Sequence, residues 1–221
     1  MRMIFFNIAW MDYYKGRQDI DRPTGGGSYV QQNGFGSEIY NFKPEKLTLK
    51  GETEEDEYCF EFFETKSTKG QSNQLHIEKI RGCELLKNEG SAEDVLVVYC
   101  TTHPAHHFTT VVGWYNHATV FRNYQEQIFA ATNGGDYYQA YNAIAKAKDC
   151  VLLPRRLRAK RLTWEVPRRK ANGRSYGFGR ANVWFAEDKD NPDQETWVKK
   201  MLGNIENYND ENWLYQYPEE G

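Results

Sequence analysis

Two sets of polar residues have the types and spacing that catalysis would require. Glu61, Glu64 and Lys66, in Glu-Phe-Phe-Glu-Thr-Lys, have the acid-x-Lys spacing with which carboxylates hold Mg²⁺ while a lysine assists an attacking water. In a regular strand, however, Glu61 and Glu64 lie an odd number of residues apart and point to opposite faces. His103, His106 and His107, in Thr-His-Pro-Ala-His-His-Phe, are potential metal ligands, but neither a nearby cysteine nor a His-Glu-x-x-His pattern completes a donor set. A polar histidine loop beside a binding surface is the better reading, and no metal or other cofactor is implied. No glycine run ends in Gly-Lys-Ser/Thr, and no Gly-x-Ser-x-Gly elbow is present.

Binding chemistry is better represented. Gly25-Gly-Gly-Ser-Tyr-Val-Gln-Gln-Asn-Gly-Phe-Gly-Ser-Glu-Ile-Tyr-Asn-Phe42 is dense in glycine and interleaved with rings and small polar groups. Glycine loses the most backbone entropy on folding, so its accumulation fits a place where positive φ angles or a close backbone approach are needed. Tyr29 and Phe35 add flat apolar faces. The competing interpretation is an ordinary turn, since Asn33-Gly34 alone is a hairpin signal.

A second signal is charge. The 221 residues carry a net charge of only −3, yet Arg155, Arg156, Arg158, Lys160, Arg161, Arg168, Arg169, Lys170 and Arg174 fall within twenty residues that hold the single acid Glu165. Such local positive density is the footprint of a polyanion partner. Trp164, Tyr176 and Phe178 interleave with it, a mixture that grips phosphates and stacks on bases. A solvated charged hairpin is the alternative.

The elements that must position these residues read mostly as strands. They are Met3–Trp10, Ile39–Phe42, a hairpin of Tyr58–Phe63 with Leu75–Ile80, Val95–Thr101, Thr109–Tyr115, Ala118–Phe121 after an Asn116-His117 turn, and Ala181–Ala186. Tyr137–Ala147 carries alanine and lysine that favour a helix. Asn191-Pro192 predicts a helix start, with Trp197, Val198, Met201, Leu202 and Ile205 on one face. Beyond 207 the chain turns polar and acidic, as in a linker. Aromatic content is 15% and mean hydropathy is −0.82. With no leader pattern and no membrane-length apolar run, the expectation is a soluble, cytoplasmic protein. Cys59, Cys83, Cys100 and Cys150 are widely spaced and read as buried thiols.

Several of these segments carry a resemblance in chain order. Asn7-Ile-Ala-Trp-Met11, Gly25-Gly-Gly-Ser-Tyr-Val30, Asn33-Gly-Phe-Gly36, Tyr40-Asn-Phe42, Val112-Gly-Trp-Tyr115, Ala118-Thr-Val-Phe-Arg122, Val151-Leu-Leu-Pro154 and Asn182-Val-Trp-Phe-Ala186 resemble the amino-terminal region of bacterial HNH-type restriction endonucleases. That region is similar to the EVE and YTH domains of the PUA superfamily. The resemblance implies an α+β fold, a PUA-like partly open β-barrel with surrounding helices and a carboxyl-terminal helix. It implies a reader of modified nucleobases that flips the base out of DNA and holds it between aromatic walls. A fused HNH nuclease would supply cleavage in such enzymes, as part of defence against phage. No His-Asn-His region follows in this sequence, so the expected organisation is a base-binding domain over 1–190, a docked helix over 191–207 and an acidic linker over 208–221 that leads to an effector.

Carried onto this chain, the resemblance implies Trp10, Tyr29, Phe35 and Trp114 as cage walls, at least one of them only core. Trp184 is a further ring for which core packing competes. Ser28, Asn33 and Asn182, joined by His103, are the groups for the base edge, since amides donate and accept and hydroxyls rotate to suit. The basic residues from Arg155 to Arg174 would follow the phosphate backbone. The modification read is 5-methylcytosine, 5-hydroxymethylcytosine or N6-methyladenine. Two other classes remain: a Mg²⁺-dependent nuclease acting through Glu61, Glu64 and Lys66, and a protein-interaction module whose basic run is a solvated face.

Overall fold

A computed structural model describes residues 1–25, 37–63, 67–68, 71–72, 74–130, 135–170 and 173–218. The amino-terminal strand β1 (Arg2–Asn7) has an apolar run that is buried on both sides. Ile4 and Phe6 enter one core, while Met3 and Phe5 enter another. The strands in chain order are β2 (Glu45–Leu47), β3 (Asp56–Glu61), the short pair β4 (Ser67–Thr68) and β5 (Gln71–Ser72), β6 (Ser91–Thr102), β7 (Thr109–Ala130), β8 (Asp136–Lys146), β9 (Cys150–Leu152) and β10 (Val183–Trp184). Eight of them form one mixed sheet in the order β10-β1-β6-β7-β8-β3-β2, with β9 added against β7. β1 and β6 run parallel, and the other pairings in this sheet are antiparallel.

Alternation along β6 divides the two cores. Val95, Val97 and Tyr99 face the first, and Leu96, Val98 and Cys100 face the second. The helices α1 (Arg155–Arg158), α2 (Arg161–Trp164) and α3 (Pro192–Glu206) contribute Leu157, Trp164, Val198, Met201 and Ile205 to the second core. The protein is thus an α+β domain with a large, open sheet and few helices, as the sequence predicts at that level. α3 starts as expected: Asn191 caps it by accepting the N–H groups of Asp193 and Gln194, and Pro192 occupies the first turn. All four cysteines are buried free thiols.

Several elements differ from expectation. Ile39–Phe42 is not a strand, because Ser37–Tyr40 forms a 3-10 turn, and Leu75–Ile80 likewise contains a 3-10 turn at Ile77–Lys79. Tyr137–Ala147 is strand β8 rather than a helix. Its Ala143 and Ala145 fit beneath the first core while β7 and β3 claim both its edges, so pairing overrides alanine's helical preference. The Asn116-His117 turn is a bulge within one continuous β7, where Val97 pairs with Tyr115 and Val95 with Ala118.

Residues 208–218 are docked through Asn212 and Leu214 rather than running as a solvated linker. The Asn212 side chain accepts the Leu152 N–H at 2.9 Å, donates to the Cys150 carbonyl at 2.9 Å, and accepts the Leu214 N–H at 2.9 Å. The buried ammonium of Lys15 donates to the carbonyls of Phe42 and Leu214, and burial lowers its pKa to about 8. Tyr13 stacks on Trp213 at 5.3 Å. Leu214 itself is fully buried in the first core. Leu214→Ala is therefore expected to destabilise the protein by about 2 to 4 kcal/mol in urea unfolding. A solvated linker would give a change near zero.

Candidate nucleic-acid interface

The connection after β1 is built from hydrogen bonds to one carboxylate. Asp21 accepts the N–H groups of Asp12, Tyr13 and Tyr14 at 2.7, 2.8 and 3.0 Å, folding residues 12–21 back on themselves. Tyr14, at φ 55°, returns its hydroxyl to the Ala9 carbonyl at 2.7 Å. Trp10 then pairs with Thr24 through both backbone hydrogen bonds, at 2.8 and 2.9 Å. On the far side of residues 26–36, Glu38 accepts the Ala9 N–H at 2.9 Å. The chain on each side of the glycine-rich segment is thereby fastened to Ala9 and Trp10. Ser28, Tyr29, Asn33 and Phe35, with Glu64 and Lys66, lie outside the described residues.

Trp10 begins a cluster of rings. His103 lies 4.8 Å from it, His106 lies 4.5 Å from His103, and Phe108 stacks on His103 at 5.8 Å. His103 Nδ1 accepts the N–H groups of Ala105 and His106 at 3.2 and 3.3 Å, which closes the turn between β6 and β7. Burial, helped by His106 and Arg155, lowers the pKa of His103, so its ring is held neutral. No group of three or more metal-ligating side chains occurs among the described residues.

The basic run borders this cluster. The Arg158 guanidinium lies 5.2 Å from the Trp10 ring and that of Arg161 lies 5.7 Å from Phe108. Arg168 donates to Thr109 Oγ1 at 2.6 Å and to Asn7 Oδ1 at 3.1 Å. Asn7 also links Asn182 to the site, since its N–H donates to the Asn182 carbonyl at 2.7 Å. The structure thus brings together Trp10, His103, Arg155, Arg158 and Arg161, with Arg168 held at the adjoining Thr109, while Asn182 meets Asn7 through its backbone carbonyl.

Three expected residues take other roles. Trp114 is not a cage wall. It is 1% exposed in the second core, 5.6 Å from Trp164 and edge-on to Tyr208. Both faces of β7 are buried here, and a bulge at Val112, where Cys100 pairs with Val111 but Tyr99 pairs with Gly113, turns the following side chains over so that Trp114 enters the second core rather than the first. Gly113 permits the close approach of β9, since a Cβ there would meet the Val151 carbonyl oxygen at 2.3 Å. Trp184 also belongs to the second core, stacked on Phe5 at 4.8 Å. Arg158 does not follow a phosphate backbone. Its fully buried guanidinium donates to the carbonyls of Leu153, Met11 and Asp12 at 2.8, 2.6 and 2.8 Å.

Among the remaining basic residues, Lys160, Arg169 and Lys170 are exposed. Arg155 faces Asp12 at 3.4 Å, and Arg156 faces Asp210 and Glu211 at 3.4 and 3.2 Å. Arg161 and Arg174 share Glu165 at 3.1 and 3.3 Å. Lys199 and Lys200, which the sequence did not single out, join Lys160 along a groove of about 440 Å³ beside α3. Their signal was weak because two lysines in an amphipathic helix look like its solvent face.

Glu61 is the other group whose place the sequence hid. The amides of Asn41 and Asn142 take the N–H groups of Phe62 and Phe63 at 3.0 and 2.9 Å, which ends β3 and leaves Glu61 inside. Its carboxyl is fully buried and neither oxygen has a hydrogen-bond partner, as is also true of the Tyr99 and Tyr115 hydroxyls. Burial first, and the charge of Glu38 second, raise its pKa well above 4.5.

Comparison with family models, with curated proteins and with solved structures finds no match.

Arg158→Met leaves three carbonyls without their donor, and urea unfolding is expected to show a loss of about 3 kcal/mol or more. Arg169→Ala should stay within about 0.5 kcal/mol of wild type in the same measurement. For Glu61, both states are protonated below 4.5. Above it the unfolded chain releases the proton while the folded chain keeps it, so stability falls as pH rises toward the folded pKa. Glu38, Cys59, Tyr99, Tyr115, Cys150 and the Lys15 ammonium are the titratable groups around this interior; Lys15 bears on Cys59 and Cys150, and the charged group that bears on Glu61 is Glu38, which opposes its ionisation. The melting temperature of Glu61→Gln relative to wild type should therefore climb between pH 4.5 and neutrality. A difference that is flat across this range would show that Glu61 ionises normally.

Proposed function

We propose that this chain is a DNA-binding domain that recognises a modified nucleobase flipped out of the duplex and that targets a modification-dependent restriction nuclease. The observation that carries the reading is the convergence at Trp10. Its ring meets His103 and Arg158, its backbone fastens the start of the glycine-rich segment, and Arg155, Arg161 and Arg168 border the same cluster. Planar rings beside guanidinium groups suit an unstacked base and its flanking phosphates. Unstacking costs a few kcal/mol, which stacking at roughly 1 to 3 kcal/mol per base can offset.

The open sheet with a core on each face supports a PUA-like barrel of the EVE and YTH kind, the architecture that the sequence motifs imply. In this reading Trp10 and His103 form one wall, and Asn182 lies close to it through Asn7. Ser28, Tyr29, Asn33 and Phe35, outside the described residues, are the further wall and base-edge groups that the sequence resemblance implies. Arg155, Lys160, Arg161, Arg169 and Lys170 contact phosphates, and Arg168 orients Asn7. Catalysis by this domain is not part of the reading: burial raises the pKa of Glu61 well above 4.5, which disfavours the carboxylate form that would hold Mg²⁺.

A second reading has one observation in its favour. Arg155, Arg156, Arg161 and Arg174 each already face a carboxylate, as on the solvated face of a protein-interaction module. Binding to short duplexes that differ in one base separates the two. A reader binds one of the 5-methylcytosine, 5-hydroxymethylcytosine or N6-methyladenine duplexes more tightly than the plain one. Combined reversal of Arg155, Arg161 and Arg169 to Glu should weaken binding to every duplex and flatten the salt dependence by about one unit of slope for each phosphate the variant no longer neutralises. Equal affinity of the wild type for all duplexes rules the reader out, and binding indifferent to the reversal favours the interaction module.

A further inference from the structure

The first core holds more unmet polar chemistry than a closed interior tolerates. Both Glu61 carboxyl oxygens and the hydroxyls of Tyr99 and Tyr115 are buried without hydrogen-bond partners. Each such group is costly to bury, and native interiors hold few of them unless water or a ligand meets the need. They share one compartment, since Glu61 lies on the same face of β3 as Cys59, which with Phe63, Tyr99 and Tyr115 belongs to the first core. The compartment is walled by rings: Tyr99 and Tyr115 meet edge-on at 4.8 Å, Phe42 meets each of them edge-on, and Phe6 stacks on Phe63 at 4.4 Å. Flat apolar walls around a polar cluster suit a planar heteroaromatic group better than an aliphatic one.

The position of the cluster ties it to the candidate interface. Glu38 bears electrostatically on Glu61, and the same Glu38 side chain holds the Ala9 N–H next to Trp10. Phe6 precedes Asn7, and in the parallel β1–β6 pair it lies opposite Tyr99. The interior carboxyl and the ring cluster are therefore joined through the short run from Phe6 to Trp10.

We infer that Glu61, with the Tyr99 hydroxyl, reads the hydrogen-bonding edge of the inserted base, an edge that presents a donor beside an acceptor. This rests on the base-reading function proposed above. A carboxylic acid offers one O–H donor and one carbonyl acceptor side by side. That pair complements the ring nitrogen and the exocyclic N–H of cytosine, and equally the N1 and remaining N6–H of N6-methyladenine. The Tyr99 hydroxyl can donate or accept at the next position. Glu61 thus acts as a specificity residue in which the neutral acid, not a charge, makes the contact.

The test compares the wild type with E61Q, E61L and Y99F on the three modified duplexes and the plain one, reading the ratio of plain to modified Kd for the preferred base. E61Q keeps a donor beside an acceptor and should hold the wild-type ratio within about threefold, whereas E61L should lose about tenfold or more of it. Affinity of E61L for the plain duplex, and its salt slope, should not move, because phosphate contacts carry them. Y99F, which removes one oxygen and keeps the ring, should reduce the ratio by about fivefold, the size of one hydrogen bond at a desolvated edge. It decides the matter if E61L does not fold. A wild type with a clear preference that E61L, or Y99F in its place, leaves intact overturns the inference alone and makes Glu61 a core residue met by water. A wild type with no preference overturns the base-reading function and this inference with it.

Discussion

The Arg158 guanidinium is the contact on which the arrangement of the candidate interface depends. It belongs to α1, yet two of its three carbonyl partners, Met11 and Asp12, lie in the turn that follows β1. A buried cation without a carboxylate partner is costly, and here the backbone carbonyls supply its compensation. By occupying them it fixes the turn against the helix, and the Trp10 ring lies over its plane. Asp21 gathers the N–H groups of the same turn, so donors and acceptors of residues 11–14 are taken from opposite sides. The aromatic cluster of Trp10 and His103 is consequently held by polar contacts behind it, and its position does not rely on ring packing alone.

The second constraint is that the sheet is buried on both faces where β1, β6 and the first part of β7 lie side by side. A strand with two buried faces has no wet side on which a binding ring can sit, so a tryptophan in its centre is core whichever way it points. This disposes of Trp114 and Trp184 as walls and leaves the rings at the strand ends, of which Trp10 and His103 are themselves 5% and 6% exposed. Trp10 and His103 lie just past the ends of β1 and β6, where pairing stops and backbone groups are met by side chains instead.

These facts explain what the sequence made legible. Continuous apolar runs such as Met-Ile-Phe-Phe and Val-Leu-Val-Val-Tyr identified the central strands, because burial on two faces removes alternation and leaves an unbroken run. The capped start of α3 was legible for an equally local reason. The faces of β7 were not, since a bulge at Val112 reverses them and nothing in Val-Val-Gly-Trp marks the extra residue. Tyr137–Ala147 misled through alanine, whose small size here serves packing under a neighbouring strand. The docking of residues 208–218 was hidden because Lys15, Asn212 and Leu214 act through contacts some 60 to 200 residues away in the chain. Within the site, Trp10, His103 and Asn182 were legible as types, while Glu61 was noticed only for its spacing to Lys66.

Charge on the basic run obeys the same logic of environment. Nine cations in twenty residues look like a uniform phosphate-binding stripe, but folding divides them. Arg158 is internal, Arg168 is committed to Thr109 and Asn7, and Arg155, Arg156, Arg161 and Arg174 face acids from three different parts of the chain. Exposed pairs of this kind contribute at most about 1 kcal/mol each, so a phosphate can displace the acid at little cost. Without one, the acids pair with the guanidinium groups and screen their charge. For the base-reading function proposed above that weakness is an advantage, because strong phosphate contacts bind all duplexes alike and leave less of the total affinity to depend on the base.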